Sequence, residues 1–382
     1  MSGHLIPVLK SMALLAGTTI GAGILAVPYV VAQSGYWIGV GYLLAFGLIM
    51  IFINLCLAET SLRTEGYNSL PDLVTIYFGK RGNRIIFSAL LLTIYGALTA
   101  YMIGSGNILY ELFGQALSPQ VFSLMFFTCV AIAVYFGLKT VSQTELLFVV
   151  GIIILIVGIT LYTIFSDSQF YWDHLDQSSS FLHPNTLLPY GTVLFAYFGF
   201  IAVPEMKPVL GKYASQLKTA IIFGFAIPIT IYLVFTTIVI GLAGSETNQV
   251  ATVTLGRVLG TEMMYISNIF GLIAMFTSAL ALGIAATHTY QGQFSVNHTQ
   301  ATILTMSLPL LIILANWGDF VEFISLAGAV TGGILGITII LLFWRAKERG
   351  VRTPEFSLGK QKIFGSLVIG VLILGTVLEL IL

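Results

Sequence analysis

Apolar residues are grouped along the chain in long stretches, with short polar connections between them. Most stretches reach about 20 residues, the length that an α-helix needs to cross the hydrocarbon core of a bilayer. The longest connections are those near Asp167 to His183, 64–83, 244–260 and 345–361, and none can hold a soluble domain. The pattern predicts an all-α integral membrane protein with about eleven transmembrane helices, at 10–33, 36–62, 84–112, 119–138, 142–166, 184–206, 216–243, 261–290, 299–316, 319–344 and 362–382.

Lysine and arginine fall almost entirely on one side of this predicted bundle. With the N-terminus placed inside, the inner side holds all but one of the 16 basic residues, namely Lys10, Arg63, Lys80, Arg81, Arg84, Lys139, Lys207, Lys212, Lys218, Arg345, Lys347, Arg349, Arg352, Lys360 and Lys362. Only Arg257 falls outside. Because cytoplasmic loops carry an excess of Lys and Arg, the bias predicts a cytoplasmic N-terminus and a C-terminus on the outer side.

Composition excludes several other classes of protein. Hydrophobic residues make up 57% of the chain and charged residues only 8%, against roughly 25% charged in a soluble domain. Acidic and basic residues are equal in number, so no basic surface for nucleic acid is expected. Cys56 and Cys129 lie inside apolar stretches and indicate neither a disulfide framework nor a metal cluster. The first stretch lacks a convincing cleavage region, so we expect a structural helix rather than a signal peptide.

The first apolar segment contains residues that weaken a helix at mid-membrane depth. Gly17, Thr18, Thr19, Gly21 and Gly23 fall within seven residues, and a glycine costs about 1 kcal/mol relative to alanine inside a helix. Two interpretations are open. The glycines permit close packing of helices through their four-residue spacing, or the chain unwinds here and offers its backbone to a polar ligand.

The sixth segment is interrupted as well, which favours the second interpretation. Gly199 lies in its middle and Pro204 follows five residues later. Interrupted helices five spans apart are typical of transporters built from two inverted repeats, with the substrate site at their interface. Half-helix N-termini there attract a carboxylate, and the opposite ends attract a cation. We predict one transporter domain over 1–382, with repeats at about 10–166 and 184–344 and an extra helix at about 362–382.

The eighth segment carries two adjacent hydroxyls, Thr277 and Ser278, in an apolar helix. Such hydroxyls commonly bond the carbonyl four residues earlier, which is a purely structural role. With the first helix unwound, an alternative is an all-oxygen cage for a small hard cation, made from these hydroxyls and from carbonyls of the first segment.

These motifs resemble those of a known family. The first helix reads Gly17-Thr18-Thr19-Ile20-Gly21-Ala22-Gly23 before Pro28, and further motifs are Tyr95-Gly96-Ala97-Leu98-Thr99-Ala100-Tyr101, Phe198-Gly199-Phe200 and Thr277-Ser278. Together they resemble the bacterial tyrosine- and tryptophan-type aromatic amino acid permeases. Pro204-Glu205-Met206-Lys207 resembles the related amino acid/auxin permeases. Both groups belong to the amino acid–polyamine–organocation superfamily, and the resemblance covers nearly the whole chain. It implies a LeuT-type fold with helices 1 and 6 broken, a place in the cell (inner) membrane, and secondary active amino acid uptake.

The resemblance also implies a substrate site. Backbone amides from Ile20 to Gly23 would bind the carboxylate, and carbonyls from Ala196 to Gly199 would meet the ammonium group. Tyr101 is expected as a gate or a core residue. The full set of expected substrate-binding residues is Thr18, Thr19, Ile20, Gly21, Ala22, Gly23, Tyr101, Ala196, Tyr197, Phe198, Gly199 and Phe200.

A coupling-ion site follows from the same resemblance. The positions that bind sodium in sodium-coupled members correspond here to Gly17, Ile20, Ala274, Thr277 and Ser278. All of these ligands are oxygens, which suits a hard cation. Many proton-coupled relatives instead have a lysine in helix 5. That span here has Gly151 near the expected position and no Lys or Arg in its interior. Sodium is therefore favoured over a proton as the coupling ion, and no cofactor is expected.

The leading prediction is cation-coupled symport of a neutral amino acid, aromatic or otherwise large. The expected partners are this amino acid and the lipid bilayer, without nucleic acid or an obligatory protein partner. A proton-coupled permease is the first alternative, with Glu111 as the candidate carboxylate. Glu205, beside Lys207, is a candidate inner gate or helix-end anchor. The sequence has no ring of charges and no carbonyl-filter repeat, which argues against a channel. It shows no sensory domain that would favour a non-transporting nutrient sensor, and it has no motifs of intramembrane enzymes.

Overall fold

The computed structural model describes residues 5–66, 69–137, 142–165, 170–176 and 184–381. Lys139 and most of the predicted outer loop at 167–183 lie outside these residues. The described residues form fourteen α-helices, named α1 to α14 in chain order: Leu5–Thr19, Val27–Ser34, Tyr36–Arg63, Leu70–Leu112, Pro119–Tyr135, Ser142–Phe165, Pro189–Ala196, Val203–Leu210, Leu217–Ala243, Ala251–Leu259, Thr261–Phe294, His298–Leu314, Phe320–Arg349 and Lys362–Ile381.

Every predicted apolar segment contains helix, which confirms the all-α class. By length and composition, six helical stretches of the described residues can cross a membrane, or seven when the bent pair α1 and α2 is taken as one span. Three further apolar helices are shorter, at Pro119–Tyr135, Ile153–Thr163 and His298–Leu314. The protein is thus a multi-pass membrane protein, and the count of eleven spans stays a prediction.

Both predicted interruptions are present. The helix axes before and after the first break differ by 53°. Between α1 and α2 the chain is extended at Gly21, with φ −109° and ψ −167°, and then makes a short 310 helix. Helix α7 ends at Ala196, and a second short 310 helix, Phe200–Ala202, leads into α8. Proline is the second residue of each following helix, Pro28 in α2 and Pro204 in α8, where its missing N–H costs no hydrogen bond.

Two of the segments predicted as connections between spans contain additional helix. Helix α4 begins at Leu70 rather than near 84, because Ser69 and Asp72 form a reciprocal capping box at its start. It bends at Gly79, whose φ is 73°. Helix α10 lies within the connection 244–260. Both pieces are shorter than the 20-residue window that identifies a membrane span, which is why hydropathy did not reveal them.

Helix α13 is the central support of the bundle, since it packs against α3, α4, α7 and α14. Its contact with the half-helix α7 is backbone to backbone. A Cβ on Gly191 would lie 2.1 Å from the Ser325 carbonyl oxygen, and a Cβ on Gly328 would lie 1.9 Å from the Gly191 oxygen. The two glycines therefore let α7 lie directly on α13, which fixes one side of the second break.

A buried ionic cluster joins α3 to α13 at their predicted inner ends. Glu59, whose side chain is fully buried, accepts hydrogen bonds from Arg63 and Lys347. It also accepts bonds from the Ser357 hydroxyl and the Leu358 N–H, so the segment before α14 is held to the same carboxylate. This agrees with the rule that buried charges are paired.

Candidate functional site

A cavity of about 360 Å³ lies where the two helix breaks meet. Its walls come from both breaks and from α4, α11 and α13. The described lining residues contain no Asp, Glu, Lys, Arg or His. Any charge on a ligand must therefore be met by backbone groups and hydroxyls. A concave, mostly apolar cavity with a few convergent polar groups is the usual form of a small-molecule site.

Most of the predicted substrate residues meet at this cavity. Those that line it are Thr18, Thr19, Ile20, Gly21, Gly23, Tyr101, Ala196, Phe198 and Phe200. Ala22, Tyr197 and Gly199 are not in its wall. Of the predicted cation ligands, Gly17, Ile20, Thr277 and Ser278 line it, and Ala274 is fully buried behind them.

The first break leaves backbone groups without partners. The Gly21 N–H turns back to the Thr19 carbonyl, 3.0 Å away, and the regular helical bonds stop there. Within the described part of the chain, the N–H groups of Ala22 and Gly23 have no acceptor, and the Gly17 and Ile20 carbonyls have no donor. Unpaired backbone groups are costly inside a protein, so a ligand that supplies the missing partners stabilises this conformation.

The second break is packed tightly against the first. A Cβ on Gly199 would lie 2.0 Å from the Thr19 Oγ1 atom, so glycine is what allows this approach. Tyr197 turns away from the cavity. Its side chain is fully buried, and its hydroxyl donates to the Leu43 carbonyl at 3.1 Å. Phe198 and Phe200 provide the aromatic part of the wall, with ring centroids 5.3 Å apart.

Tyr101 lies between the breaks and α11. Its ring meets Phe195 edge-on at 6.5 Å, and its hydroxyl is within hydrogen-bonding reach of Ser278. The side chain is only 3% exposed although it borders the cavity. Tyr101 thus connects the α7 side of the cavity to the hydroxyl pair on α11.

Comparisons with known proteins agree with this architecture. The model of the tryptophan/tyrosine permease family matches residues 6–380. The chain belongs to this family. It is 26% identical to tyrosine-specific transport system 1 of Haemophilus influenzae, over 95% of this chain and 94% of that protein. It is 25% identical to glutamine transporter 2 of Aliivibrio fischeri, over 84% of each chain.

The fold comparison shows a LeuT-type fold. The crystal structure of MhsT in complex with L-phenylalanine superposes with a TM-score of 0.64 at 15% identity, covering 96% of this chain and 98% of that chain. Because its family is one of tryptophan/tyrosine permeases and its relatives are transport proteins, the protein is an amino acid permease and not an enzyme. The resemblance inferred from the first-helix motif is confirmed.

In this permease the hydroxyl of Thr277 donates to the carbonyls of Ile273 at 3.0 Å and Ala274 at 3.1 Å. The structural interpretation of this hydroxyl therefore holds. It does not exclude a cation, because a hydroxyl that donates its hydrogen keeps two acceptor lone pairs. No cluster of three or more His, Cys, Asp or Glu occurs among the described residues, and the oxygen atoms offered by the lining residues are carbonyls and hydroxyls.

The structure gives the surroundings of Gly151 and Glu111, the two residues that bear on proton coupling. A Cβ on Gly151 would contact the Phe270 ring at 3.3 Å, and Phe270 is two helical turns from Thr277 on α11. A side chain at position 151 would therefore begin beside Phe270. Glu111, the candidate proton carrier, forms an ion pair with Arg257 at 2.5 Å and joins α4 to α10.

Sequence reasoning missed several cavity residues of the permease. On α4 they are Leu90, Leu91, Thr93 and Ile94, and on α11 they are Ala281, Leu282, Ala285 and Thr289. The α11 set repeats every three or four residues from Ser278, so the helical period carried a signal for it. Near the end of α8, Lys207 donates to the Ser61 and Gly66 carbonyls and so anchors this helix; the role of Glu205 stays a prediction.

Proposed function

We propose that this permease takes up a neutral amino acid, aromatic or otherwise large, together with a cation, and that sodium is favoured over a proton. The observation that carries the proposal is the cavity at the two breaks, where unpaired backbone groups face an apolar wall without ionisable side chains. An amino acid zwitterion matches both parts, because its charged ends need backbone partners and its side chain needs the apolar wall.

The carboxylate is assigned to the first break. The unpaired N–H groups of Ala22 and Gly23 precede α2 and can donate to an anion, as helix N-termini commonly do. The ammonium group is assigned to the carbonyls at the end of α7, around Ala196, because helix C-termini favour positive charge.

The side chain is assigned to the wall formed by Phe195, Phe198, Phe200 and Tyr101. Aromatic rings favour an aromatic or large apolar partner. The names of the relatives, a tyrosine-specific system and a glutamine transporter, both specify neutral side chains. A charged side chain would be buried without a partner, at a cost of several kcal/mol on the order expected for unpaired ions.

The cation is assigned to the oxygens of Gly17, Ile20, Ala274, Thr277 and Ser278. The support is that four of these residues line one cavity and that the Gly17 and Ile20 carbonyls have no donor among the described residues. Such a set suits a hard cation. A proton-coupled mechanism has less support, because Glu111 is already paired with Arg257.

The test is uptake by the purified protein in liposomes, with L-tyrosine, L-tryptophan, L-phenylalanine, L-leucine, L-glutamine, L-arginine and L-glutamate offered in turn under separate sodium and proton gradients. We expect saturable, concentrative uptake of aromatic substrates that requires the sodium gradient, with arginine and glutamate as poor competitors. Preference for glutamine would overturn the aromatic assignment. Uptake driven by a proton gradient alone would replace sodium, non-saturable flux would indicate a channel, and binding without uptake would indicate a sensor.

A further inference from the structure

A single phenol hydroxyl lies between the two helix breaks. Tyr232, on α9, is fully buried, and its Oη atom is 2.9 Å from the Thr19 carbonyl oxygen and 2.8 Å from the Ala196 carbonyl oxygen. Thr19 is the last residue of α1 and Ala196 is the last residue of α7. The C-terminal ends of two half-helices thus converge on one hydrogen-bond donor.

This convergence has an electrostatic consequence. Each helix C-terminus carries about half a negative elementary charge, located on carbonyls that lack a helical partner. Two such ends repel each other unless a donor or a cation lies between them. A phenol has one hydrogen to donate. It can therefore satisfy one of the two carbonyls fully at any moment, and the other retains capacity for a second donor.

The cavity is where a further donor can reach these two carbonyls. Thr19 and Ala196 line the cavity, whereas Tyr232 lies behind its wall. Each carbonyl oxygen has two lone pairs, and the Thr19 oxygen uses one of them for the Gly21 N–H. When the tyrosine donates to the Ala196 oxygen, each of the two oxygens therefore keeps one lone pair for a ligand. A group with three donors and a positive charge, such as the ammonium of an amino acid, meets this requirement best.

Tyr232 is held firmly in this position. The ring of Tyr197 stacks on it at 5.3 Å with an interplanar angle of 26°, and the Tyr197 hydroxyl is itself fixed to the Leu43 carbonyl. This explains why Tyr197 faces away from the cavity although it lies next to the second break. The two rings form the rear support of both breaks.

We propose that Tyr232 is a positioning residue for the amino group of the substrate. Its hydroxyl holds the terminal carbonyls of α1 and α7 side by side, so that both are available to one ammonium group. The inference rests on the proposed function, and it makes recognition of the amine depend on a side chain outside the cavity.

Tyr232→Phe tests this, because it removes the hydroxyl and keeps the ring packing. The matched control is Tyr190→Phe. Tyr190 is also buried and donates to a helix carbonyl, that of Leu372, but it lies at the start of α7 and does not line the cavity. The probes are L-tyrosine and 3-(4-hydroxyphenyl)propionate, which lacks the amino group. Binding of each is measured on equal amounts of monodisperse protein, by direct binding or by competition.

We expect Tyr232→Phe to lower the affinity for L-tyrosine roughly tenfold, the scale of a hydrogen bond to a charged group, with little change for the propionate. Tyr190→Phe should leave the ratio of the two affinities as in the wild type. An unchanged L-tyrosine affinity in folded Tyr232→Phe, or an equal loss for both ligands, would show that the hydroxyl only stabilises the fold. Failure of the wild type to bind L-tyrosine would instead count against the proposed aromatic substrate.

Discussion

The two glycines of the first break, Gly21 and Gly23, have different surroundings. A larger residue at Gly21 can block the cavity alone, whereas a larger residue at Gly23 would also disturb the packing of the fold. A Cβ on Gly21 would have no atom within 4 Å, whereas a Cβ on Gly23 would lie 3.1 Å from the Phe195 ring and 3.2 Å from the Ala196 Cα. The backbone at Gly21 is extended, a conformation that any residue adopts. A side chain at 21 therefore projects into the cavity without strain.

Gly21→Val is predicted to abolish amino acid binding while the protein inserts and purifies as the wild type does. The valine occupies the space that the ligand backbone would use. Gly41→Val is the matched control, because its Cβ also meets no atom within 4 Å but lies on α3, outside the cavity. Binding is measured with labelled L-tyrosine. Normal binding by folded Gly21→Val would remove this segment from the site, and Gly23→Val is expected to lower stability as well.

The hydroxyl pair of α11 gives a second prediction at the residue scale. Thr277→Ala combined with Ser278→Ala should remove most of the sodium dependence of amino acid affinity, because two of the proposed cation ligands are lost. When two ligands are linked, binding of one typically changes the affinity for the other by about 5- to 150-fold, and the effect is reciprocal. The measurement is amino acid affinity in sodium and in choline media.

The control for this pair is Thr302→Ala with Thr305→Ala. These α12 hydroxyls also bond the carbonyl four residues earlier, but they lie outside the cavity. Sodium dependence should survive in that variant. Equal affinities in sodium and choline already in the wild type would contradict sodium coupling.

At the scale of the helix, hydropathy and helix-weakening residues were sufficient to predict the apolar segments and the two breaks. Glycine and proline at Gly21 and Gly199 to Pro204 mark breaks that the structure confirms. The starts of α4 and α10 were missed, because they depend on local capping and on tertiary contacts rather than on apolar length. The directions of side chains beside a break, such as Tyr197, could not be predicted, since the helical period ends there.

The contact between α3 and α13 depends on Glu59, and its loss is predicted to destabilise the protein. Glu59→Gln leaves the largely buried Lys347 without its carboxylate. Breaking a buried pair commonly costs about 3–5 kcal/mol, so the thermal transition should fall by several degrees. It is measured by size-exclusion chromatography after heating.

The double variant Glu59→Gln with Lys347→Met should be more stable than Glu59→Gln alone, since it removes the uncompensated charge. Glu355→Gln is the control, because its ion pair with Arg352 is partly exposed and such pairs contribute about 1 kcal/mol or less. If Glu59→Gln and Glu355→Gln have equal effects, the buried carboxylate is not the element that joins these helices.

At the scale of the whole molecule, the cavity extends from the breaks toward one end of the bundle. Along α11 its lining runs from Thr277 to Thr289, near the predicted inner end. On the opposite side, a Cβ on Gly104 would lie 2.8 Å from both Met275 and Phe320, so the packing there is closed. In the orientation predicted from the basic residues, this arrangement would open toward the cytoplasm.

Cysteine labelling tests the orientation and the access direction together. In a Cys129→Ser background, Ala285→Cys should react with a membrane-impermeant thiol reagent from the inner face, and Trp317→Cys, on an exposed loop, from the outer face. Cys56 is fully buried and can remain. Excess L-tyrosine should slow the reaction at position 285 but not at 317. Labelling of both positions from the same face would overturn the topology.

The glycine contact between α7 and α13 has a consequence for which sequences this fold accepts. At Gly191 and Gly328 even a methyl group would overlap a carbonyl of the facing helix. In a saturation library selected for function, both positions should retain glycine almost exclusively, whereas Gly41 should accept many residues. We therefore expect the contact between α7, which ends at the second break, and α13 to persist in every functional sequence of that library.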